Sequence, residues 1–372
     1  EKQRNQPVPD PSKGRPQIIL GAIPFGGSLN RDDTARVINE FVNEHNERHI
    51  DGAYLYGNEE RTSSTIPAIA DALSKVQIST KVTPMFADKN PDAPFGAVPY
   101  PEKLYLGLTP ESIRKQMDIS LNKLQRDSVD ILYLHWMDIT TDIRATLKCI
   151  DALYQEGKFR RFGVSNFYAW QVSQIMEICR QNGYVAPTVY QGHYNPICRD
   201  VETELMPCLR YYGIDFYAFG MLANGLLAGG YVDAYEKWDE MDSGGRMNVY
   251  FSKQLYWRRS YFDAFEIIRK AADALYGKGV NYGDLTMRWM THHSVLGERD
   301  GIICGISKHK YLRQTMDSLK LGKPLEDAMV KAFDEAWLVA KRETRGYLQW
   351  NTEYGIIRTD DPFIKKGIKA KL

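Results

Sequence analysis

The sequence predicts an α/β fold, a (β/α)₈ TIM barrel. The first observation is that strand-like and helix-like segments alternate after residue 17 with short connections, which favours a parallel sheet. The second is that there are eight strand-like runs, which favours a closed barrel over an open doubly wound sheet. The length of 372 residues is ordinary for one such barrel.

The strand-like runs are short and rich in β-branched and aromatic residues. In chain order they are QIILGA near residue 20, HIDGA, VQISTK, VDILYLH, FRRFGVS, PTVYQ, GIDFYAF and GIICGIS. Helical spacing marks DDTARVINEFVNEH, ESIRKQMDISLNKL, DIRATLKCIDALYQEG, AWQVSQIMEICRQNG and VETELMPCLRYYG. Gly157, Gly183 and Gly213 fall where helix C-caps are expected. No GxGxxG follows the first strand, so the Rossmann fingerprint is absent from its usual position.

The chain divides into three parts. Residues 1–16 are polar and proline-rich and predict a flexible arm, residues 17–345 predict the barrel domain, and residues 346–372 predict a tail. Three segments exceed the needs of a bare barrel: a long loop at 84–107 after the third strand, another at 222–260 after the seventh, and a C-terminal helical extension from about 324 to 345. Loops that follow strands lie on the catalytic face, so the first two predict walls of a pocket.

Bulk composition excludes several classes of protein. The chain is 43% hydrophobic and 26% charged, as in globular proteins, and its net charge of +1 favours neither nucleic acid nor an anionic membrane surface. The five cysteines are scattered without a CxxC pair, which predicts no disulfide framework, no metal site and a reducing, cytoplasmic location. The N-terminal residues lack a signal pattern, and no run predicts a membrane span. A peroxisomal address through Ala370-Lys371-Leu372 stays open as an alternative.

Four polar residues lie at the exits of three consecutive predicted strands. Asp51 interrupts the apolar part of RHIDGAYLYGNEE, and a buried unpaired carboxylate costs several kcal/mol. We therefore expect Asp51 to pair with Lys81, whose charge would lower the pKa of a nearby phenol and make it a usable general acid. Such an acid would give its proton to a substrate oxygen that gains charge, and His135 could hydrogen-bond that same oxygen and orient it. Spacing does not separate Tyr54 from Tyr56, and each residue alone also fits a structural role.

These segments resemble the aldo-keto reductases over about residues 17–345. IDGAYLYGNEE is similar to the family's Asp-x-Ala-x-x-Tyr segment, and ISTKV, YLHW, GKFRRFGVSNF and GISKHKYLRQT follow in the same order and at the same distances. PTVYQGHYNPICRDVETELMPCLRYYGIDFYAF is similar to the aflatoxin-aldehyde reductase branch. The resemblance implies NADPH-dependent reduction of an aldehyde or ketone. It also implies a catalytic tetrad of Asp51, Tyr56, Lys81 and His135, and thereby selects Tyr56 over Tyr54.

The resemblance further implies how the nicotinamide end of NADPH/NADP is bound. Ser165, Asn166 and Gln191 would hold the carboxamide, and the ring would stack on Phe219. The contacts to phosphate and ribose are expected at Leu222, Gly225 and the stretch GISKHKYLRQT.

At the adenosine end, Ser307 would N-cap the last barrel helix, whose N-terminus favours the 2′-phosphate, and Lys308 would add charge. The family usually has Arg or Gln where Tyr311 stands and Asn where Thr315 stands, so NAD stays open beside NADP. The segment FGMLANGLLAGG departs from the branch's usual Asn-Pro-Leu-Ala-Gly-Gly, with Gly220, Met221 and Asn224 as substitutes.

The expected partner is a small-molecule carbonyl substrate, and a homodimer is expected by analogy with the branch. The substrate pocket is expected at Phe25, Tyr54, Phe86 and Trp136. The aromatic 84–107 loop predicts either a wall for a bulky or planar substrate or a segment packed outside the barrel. Two other functions stay open: oxidation of alcohols, as in fungal aryl-alcohol dehydrogenases, and a cofactor-binding regulatory role, as in potassium-channel β subunits.

Overall fold

A computed structural model describes residues 14–84, 107–231, 255–344 and 346–348. Eight parallel strands close into a barrel in chain order, with β1 also paired to β8. The predicted TIM barrel is confirmed, and all eight predicted runs contain a strand. The strands are β1 Gln17–Gly21, β2 His49–Asp51, β3 Gln77–Val82, β4 Val129–Leu134, β5 Phe159–Ser165, β6 Pro187–His193, β7 Asp215–Phe219 and β8 Gly301–Cys304.

Helices surround the barrel, and each of the five predicted helical segments contains one. The described helices are α1 Arg31–Asn39, α2 Ala70–Ser74, α3 Pro110–Leu124, α4 Ile143–Gln155, α5 Ala169–Asn182, α6 Leu205–Tyr211, α7 Arg259–Tyr276, α8 Tyr282–His292, α9 Tyr311–Leu321 and α10 Asp327–Ala340. Helices α2, α7 and α8 are absent from the sequence prediction. Helix α10 lies within the predicted C-terminal extension and packs against α7.

Local chemistry explains where these helices begin and end. Asn30 caps α1 by accepting a hydrogen bond from the Asp33 backbone N–H at 2.9 Å, and Thr109 does the same for α3 with Pro110 at the first helical position. Gly183 ends α5 at φ 67°, a left-handed conformation that costs glycine little.

The interior of the barrel is filled by side chains, so it offers no channel. A central cluster consists of Ile19, Ile131, Tyr133, Val189, Tyr217 and Ile303. Gly163 makes room for the largest of these rings, because a Cβ at that position would lie 2.4 Å from Tyr133 Cδ1. A substrate can therefore reach polar groups only from the mouth of the barrel.

Several predicted features lie wholly or partly outside the described residues. These are most of the 1–16 arm, most of the 84–107 loop with Phe86, residues 232–254 of the second long loop, and the tail with Ala370-Lys371-Leu372. Among the described helices, none combines the length and the apolar character needed to cross a membrane.

Candidate active site

The four tetrad residues follow three adjacent strands at the carboxyl end of the barrel. Asp51 ends β2, Lys81 lies near the end of β3, and His135 comes directly after β4. Tyr56 lies in the 3₁₀ turn Tyr54–Tyr56 that follows β2. Because the strands are parallel and consecutive in the barrel, their carboxyl ends meet at one rim.

Lys81 and Asp51 form a buried ion pair. Lys81 Nζ lies 2.7 Å from Asp51 Oδ2, and the two side chains are 0% and 3% exposed. Nζ also donates to the Gly52 carbonyl at 2.6 Å. Burial alone lowers the pKa of a lysine, but the charges of Asp51 and Tyr56 and the hydrogen bonds to both outweigh it, so the pKa of Lys81 is raised. The ion pair therefore keeps the amine protonated although it is buried.

The phenol of Tyr56 lies next to this cation. Lys81 Nζ is 5.2 Å from the centroid of the Tyr56 ring, and the two side chains are hydrogen-bonded. The Tyr56 ring also meets the imidazole of His135 edge-on, with centroids 6.0 Å apart. Asn58 fixes the loop by donating from Nδ2 to the carbonyls of Ala22 and Phe25, both at 2.9 Å.

His135 is neutral at physiological pH. Burial, reinforced by the charge of Lys81, holds the pKa of His135 well below its usual 6.5. Its Nδ1 is buried and has no hydrogen-bond partner among the described residues, whereas its ring stacks on Trp136 with centroids 4.0 Å apart. A buried N–H without a partner is rare, so we assign the proton to Nε2. The imidazole is thus a neutral donor.

The residues expected at the nicotinamide end lie beside the tetrad. Gln191 on β6 donates to Asp51 Oδ1 at 3.0 Å, and Asn166 donates to the His135 carbonyl at 2.9 Å and to Ser165 Oγ at 3.0 Å. All three side chains are buried, and Phe219 follows at the half-buried end of β7. Buried amides beside a half-buried ring fit a carboxamide and the flat heterocycle that carries it.

The residues expected at the phosphate end follow β7 and β8. Leu222 and Gly225 belong to a segment in which Ala223, Asn224 and Gly225 have φ of 47°, 54° and 102°. The expectation that Ser307 caps the last barrel helix is wrong. Helix α9 begins four residues later at Tyr311, and its N-cap is Lys310, which makes no side-chain cap. Lys308 and Tyr311 are exposed, whereas Thr315 is buried on the inner face of α9.

Three of the four residues expected in the substrate pocket are described. Phe25 and Tyr54 are buried, and Trp136 is buried against His135. Phe86 lies outside the described residues. Within the described ranges, no group of three or more His, Cys, Asp or Glu side chains is arranged to hold a metal ion.

Sequence reasoning missed two residues below the tetrad and two beside Phe219. Ser79 contacts Asp51, and His49 contacts Ser79. Alternation along a strand could have found both, because His49 precedes Asp51 by two residues and Ser79 precedes Lys81 by two. His193 and Tyr256 are hydrogen-bonded to each other across 63 residues, for which the sequence offers no signal.

Fold and site together define an oxidoreductase built on a (β/α)₈ barrel. Residues 17–338 match the model of the aldo/keto reductase family. The chain is 37% identical to the human "Aldo-keto reductase family 7 member A3" over 91% of this chain and 98% of that protein. It is 36% identical to the rat "Aflatoxin B1 aldehyde reductase member 2" over 90% and 88%, respectively. A glycerol dehydrogenase from Gluconobacter oxydans superposes with a TM-score of 0.63 at 23% identity, over 88% of this chain and 93% of that one. The chain belongs to the aldo/keto reductase family.

Proposed function

We propose that the protein reduces an aldehyde or ketone to the alcohol with NADPH, and that Tyr56 is the general acid. The observation that carries the proposal is the Lys81 cation, buried between Asp51 at 2.7 Å and the Tyr56 ring at 5.2 Å. A carbonyl oxygen that gains an electron pair needs a proton, and a phenol beside a fixed ammonium can supply it. NADPH, when bound, supplies the hydride.

The described side chains divide the remaining work. Tyr56 donates its proton to the carbonyl oxygen, and Lys81 stabilises the phenolate that remains. Asp51 balances the lysine charge so that the amine stays protonated although it is buried. His135 donates from Nε2 to the same oxygen and orients the carbonyl, and because it is neutral it does not compete with Tyr56 as the acid.

The polar contacts support binding of the nicotinamide at this rim. Gln191 uses Nε2 on Asp51, which leaves Oε1 to accept from the carboxamide N–H. Asn166 uses Nδ2 on His135 and Ser165, which likewise leaves its carbonyl oxygen as the acceptor. Phe219 provides a face for the ring. The exposed Lys308 supports NADP over NAD by offering a charge to the 2′-phosphate.

A carbonyl substrate also agrees with the names of the relatives, several of which are aflatoxin B1 aldehyde reductases. Phe25, Tyr54 and Trp136 are buried aromatic residues. We propose that they form an apolar wall that favours aromatic or otherwise bulky carbonyl compounds over small hydrophilic ones.

The test is Tyr56→Phe, assayed by NADPH oxidation with a panel of aldehydes. We expect kcat to fall at least about 10²-fold, the usual contribution of a general acid, while the Kd for NADPH changes little. Tyr54→Phe is the matched variant, since it removes the neighbouring hydroxyl, and we expect it to retain kcat within about tenfold. A Tyr56→Phe enzyme with wild-type kcat would contradict the proposal. Tight NADPH binding by the wild type without turnover of any aldehyde would favour the regulatory role instead.

A further inference from the structure

A chain of hydrogen bonds runs from the tetrad into the interior of the barrel. Ser79 Oγ lies 2.8 Å from Asp51 Oδ1, and His49 Nε2 lies 3.1 Å from Ser79 Oγ. His49 and Asp51 alternate on β2, and Ser79 and Lys81 alternate on β3, so all four side chains point inward. All four are at most 3% exposed.

The direction of each hydrogen bond follows from the acceptor at the top. An ionised carboxylate can only accept, so Ser79 donates its proton to Asp51. The lone pairs of Ser79 are then left to accept from His49, which requires a proton on Nε2. Nδ1 of His49 is the remaining lone pair, and it is buried without a hydrogen-bond partner among the described residues. Burial lowers the pKa of His49 to about 4, so the ring is neutral.

The series of hydrogen bonds ends at His49 and therefore cannot relay protons to Tyr56 from the interior of the barrel. A relay would need a donor at Nδ1, and Nδ1 has none within the described part of the chain. The hydrogen bonds instead fix the rotamer of the Asp51 side chain. Asp51 Oδ1 accepts from Ser79 and from Gln191, which leaves Oδ2 directed at Lys81.

We propose that Ser79 and His49 are positioning residues for the proposed reduction: they hold the Asp51 carboxylate in the rotamer that fixes the Lys81 ammonium beside Tyr56. The inference rests on the proposed function. Neither side chain touches the substrate or the cofactor in this scheme. Both act through Asp51 and Lys81, so the loss of either side chain changes the environment of the Tyr56 phenol only indirectly.

The charges around the chain determine how the pH profile should respond. Tyr56 faces Lys81 and His135, and Asp51 faces Lys81 and the neutral donors Ser79 and Gln191. The charged groups that act on His49 are Asp51, Asp130, Lys81 and Arg161. A carboxylate that loses the Ser79 donor attracts the lysine proton more strongly, so less positive potential reaches the phenol. Reduction requires protonated Tyr56, so the alkaline limb of its pH profile should move to higher pH.

The experiment compares Ser79→Ala, His49→Phe and His49→Gln by kcat against pH, NADPH Kd and thermal unfolding. A hydrogen bond to a charged group is lost in Ser79→Ala, so we expect kcat to fall about tenfold, with the alkaline limb shifted upward by roughly half a pH unit and Kd nearly unchanged. His49→Phe should lower kcat less, and His49→Gln, which keeps an N–H donor, should restore it. Ser294→Ala is the matched control, because Ser294 is a buried serine just after the C-terminal end of α8 that donates to Met290 O at 2.6 Å.

A Ser79→Ala enzyme that folds and keeps both the wild-type kcat and the wild-type pH profile would overturn the inference. Tyr56→Phe is measured in the same series, so retention of activity there would instead count against the proposed function. The ¹⁵N NMR spectrum of the protein labelled at histidine tests the hydrogen bonds of His49 directly. This measurement needs neither an activity assay nor a stable Ser79 variant. We expect a neutral Nε2–H signal for His49, assigned by its loss in His49→Gln, between pH 6 and 8. An Nδ1–H tautomer, or titration near the ordinary histidine value of about 6.5, would also overturn it.

Discussion

Lys81 illustrates how a single buried charge organises this site. A buried lysine tends to lose its proton, and the ion pair at 2.7 Å prevents this. The sequence carries a trace of this pairing, because Asp51 interrupts an apolar run and needs a partner. The structure pairs it with Lys81, as the sequence predicts. Such a pair contributes little net stability compared with an apolar replacement, but removal of one partner leaves the other charge buried and alone.

Lys81→Met should therefore destabilise the fold as well as abolish activity. It leaves Asp51 without a cation, and we expect the free energy of unfolding to fall by about 3 to 5 kcal/mol in urea titrations. Asp51→Asn combined with Lys81→Met should be more stable than Lys81→Met alone, since no buried charge is left. Additive losses in the double variant would mean that the two residues are not energetically coupled.

The choice of cofactor can be tested at a second residue. Lys308→Met removes an exposed charge that we propose binds the 2′-phosphate, so KM for NADPH should rise about tenfold while kcat stays the same. NADH lacks this phosphate, and its KM should be unaffected. Equal effects on both cofactors would locate the phosphate elsewhere, and a wild type that prefers NADH would rule out the proposed choice of cofactor.

At the scale of elements, the structure of the segment after β7 gives a physical reason for the glycine at position 220. Gly220 stands where the branch has Asn, and its φ is 76°. A Cβ there would lie 2.9 Å from His193 Cδ2 and 3.3 Å from Tyr256 Oη, two buried groups that are hydrogen-bonded to each other. Asn195 adds a bond from Nδ2 to the Gly220 carbonyl at 2.9 Å. The glycine is needed because the His193–Tyr256 pair occupies the space below it.

Gly220→Asn should thus be harmful although it restores the residue usual in the branch. We expect a loss of stability of about 1 to 3 kcal/mol from overpacking and a weaker complex with NADPH, because Phe219 is adjacent. Gly213→Asn is the matched control. Gly213 has a similar φ of 68°, but nothing lies within 4 Å of its Cβ position, so backbone strain is shared and the steric contact is not. Similar losses in both variants, measured by urea unfolding, would show that the His193–Tyr256 pair is irrelevant.

These elements also show where sequence reasoning stops. The strands were predictable because their segments are short and rich in β-branched and aromatic residues, and the rim residues because parallel strands end together. Helix α2 has only five residues, too few for a helical period to appear. The start of α9 at Tyr311 rather than near Ser307 depends on a turn at residues 307–310 that no pattern specifies. His193 and Tyr256 meet through tertiary packing, about which local pattern carries no information.

At the scale of the whole molecule, the C-terminal extension is attached to the barrel through the buried side chain of Arg199. Arg199 follows β6, bonds Glu202 at 3.0 Å and Asp334 of α10 at 2.6 Å, and lies 5.1 Å from the centroid of the Trp289 ring. The Arg199 side chain is 7% exposed, whereas Asp334 is 39% exposed, so solvent partly screens the ion pair to α10. The extension is thus part of the folded unit.

The buried histidines predict that the whole fold weakens in mild acid. Burial lowers the pKa of His49 and His193 to about 4 and that of His135 well below 6.5. The stability that these histidines contribute is complete above their pKa in the unfolded chain, about 6.5, and is lost as pH falls towards their pKa values in the folded protein. In that range the unfolded chain binds protons that the folded protein does not bind. Each contributes up to about 1.4 kcal/mol per pH unit in that window. His293, whose pKa burial also lowers, adds to this loss, whereas Glu59 and Asp200, whose pKa values burial raises, oppose it with the reverse sign, so the net loss per pH unit is smaller than the sum over the histidines.

Urea unfolding at pH 8, 7, 6 and 5 measures that slope directly. His193→Gln should reduce the slope of unfolding free energy against pH by the contribution of one histidine, because glutamine does not titrate. The variant should also be less stable at every pH, because the hydrogen bond to Tyr256 is lost. Above pH 7.5 the stabilities of variant and wild type should run parallel, since no histidine changes its charge there. An equal slope in both proteins between pH 6 and 5 would mean that His193 is exposed to protons in the folded state and that the interior beside Phe219 is open to water.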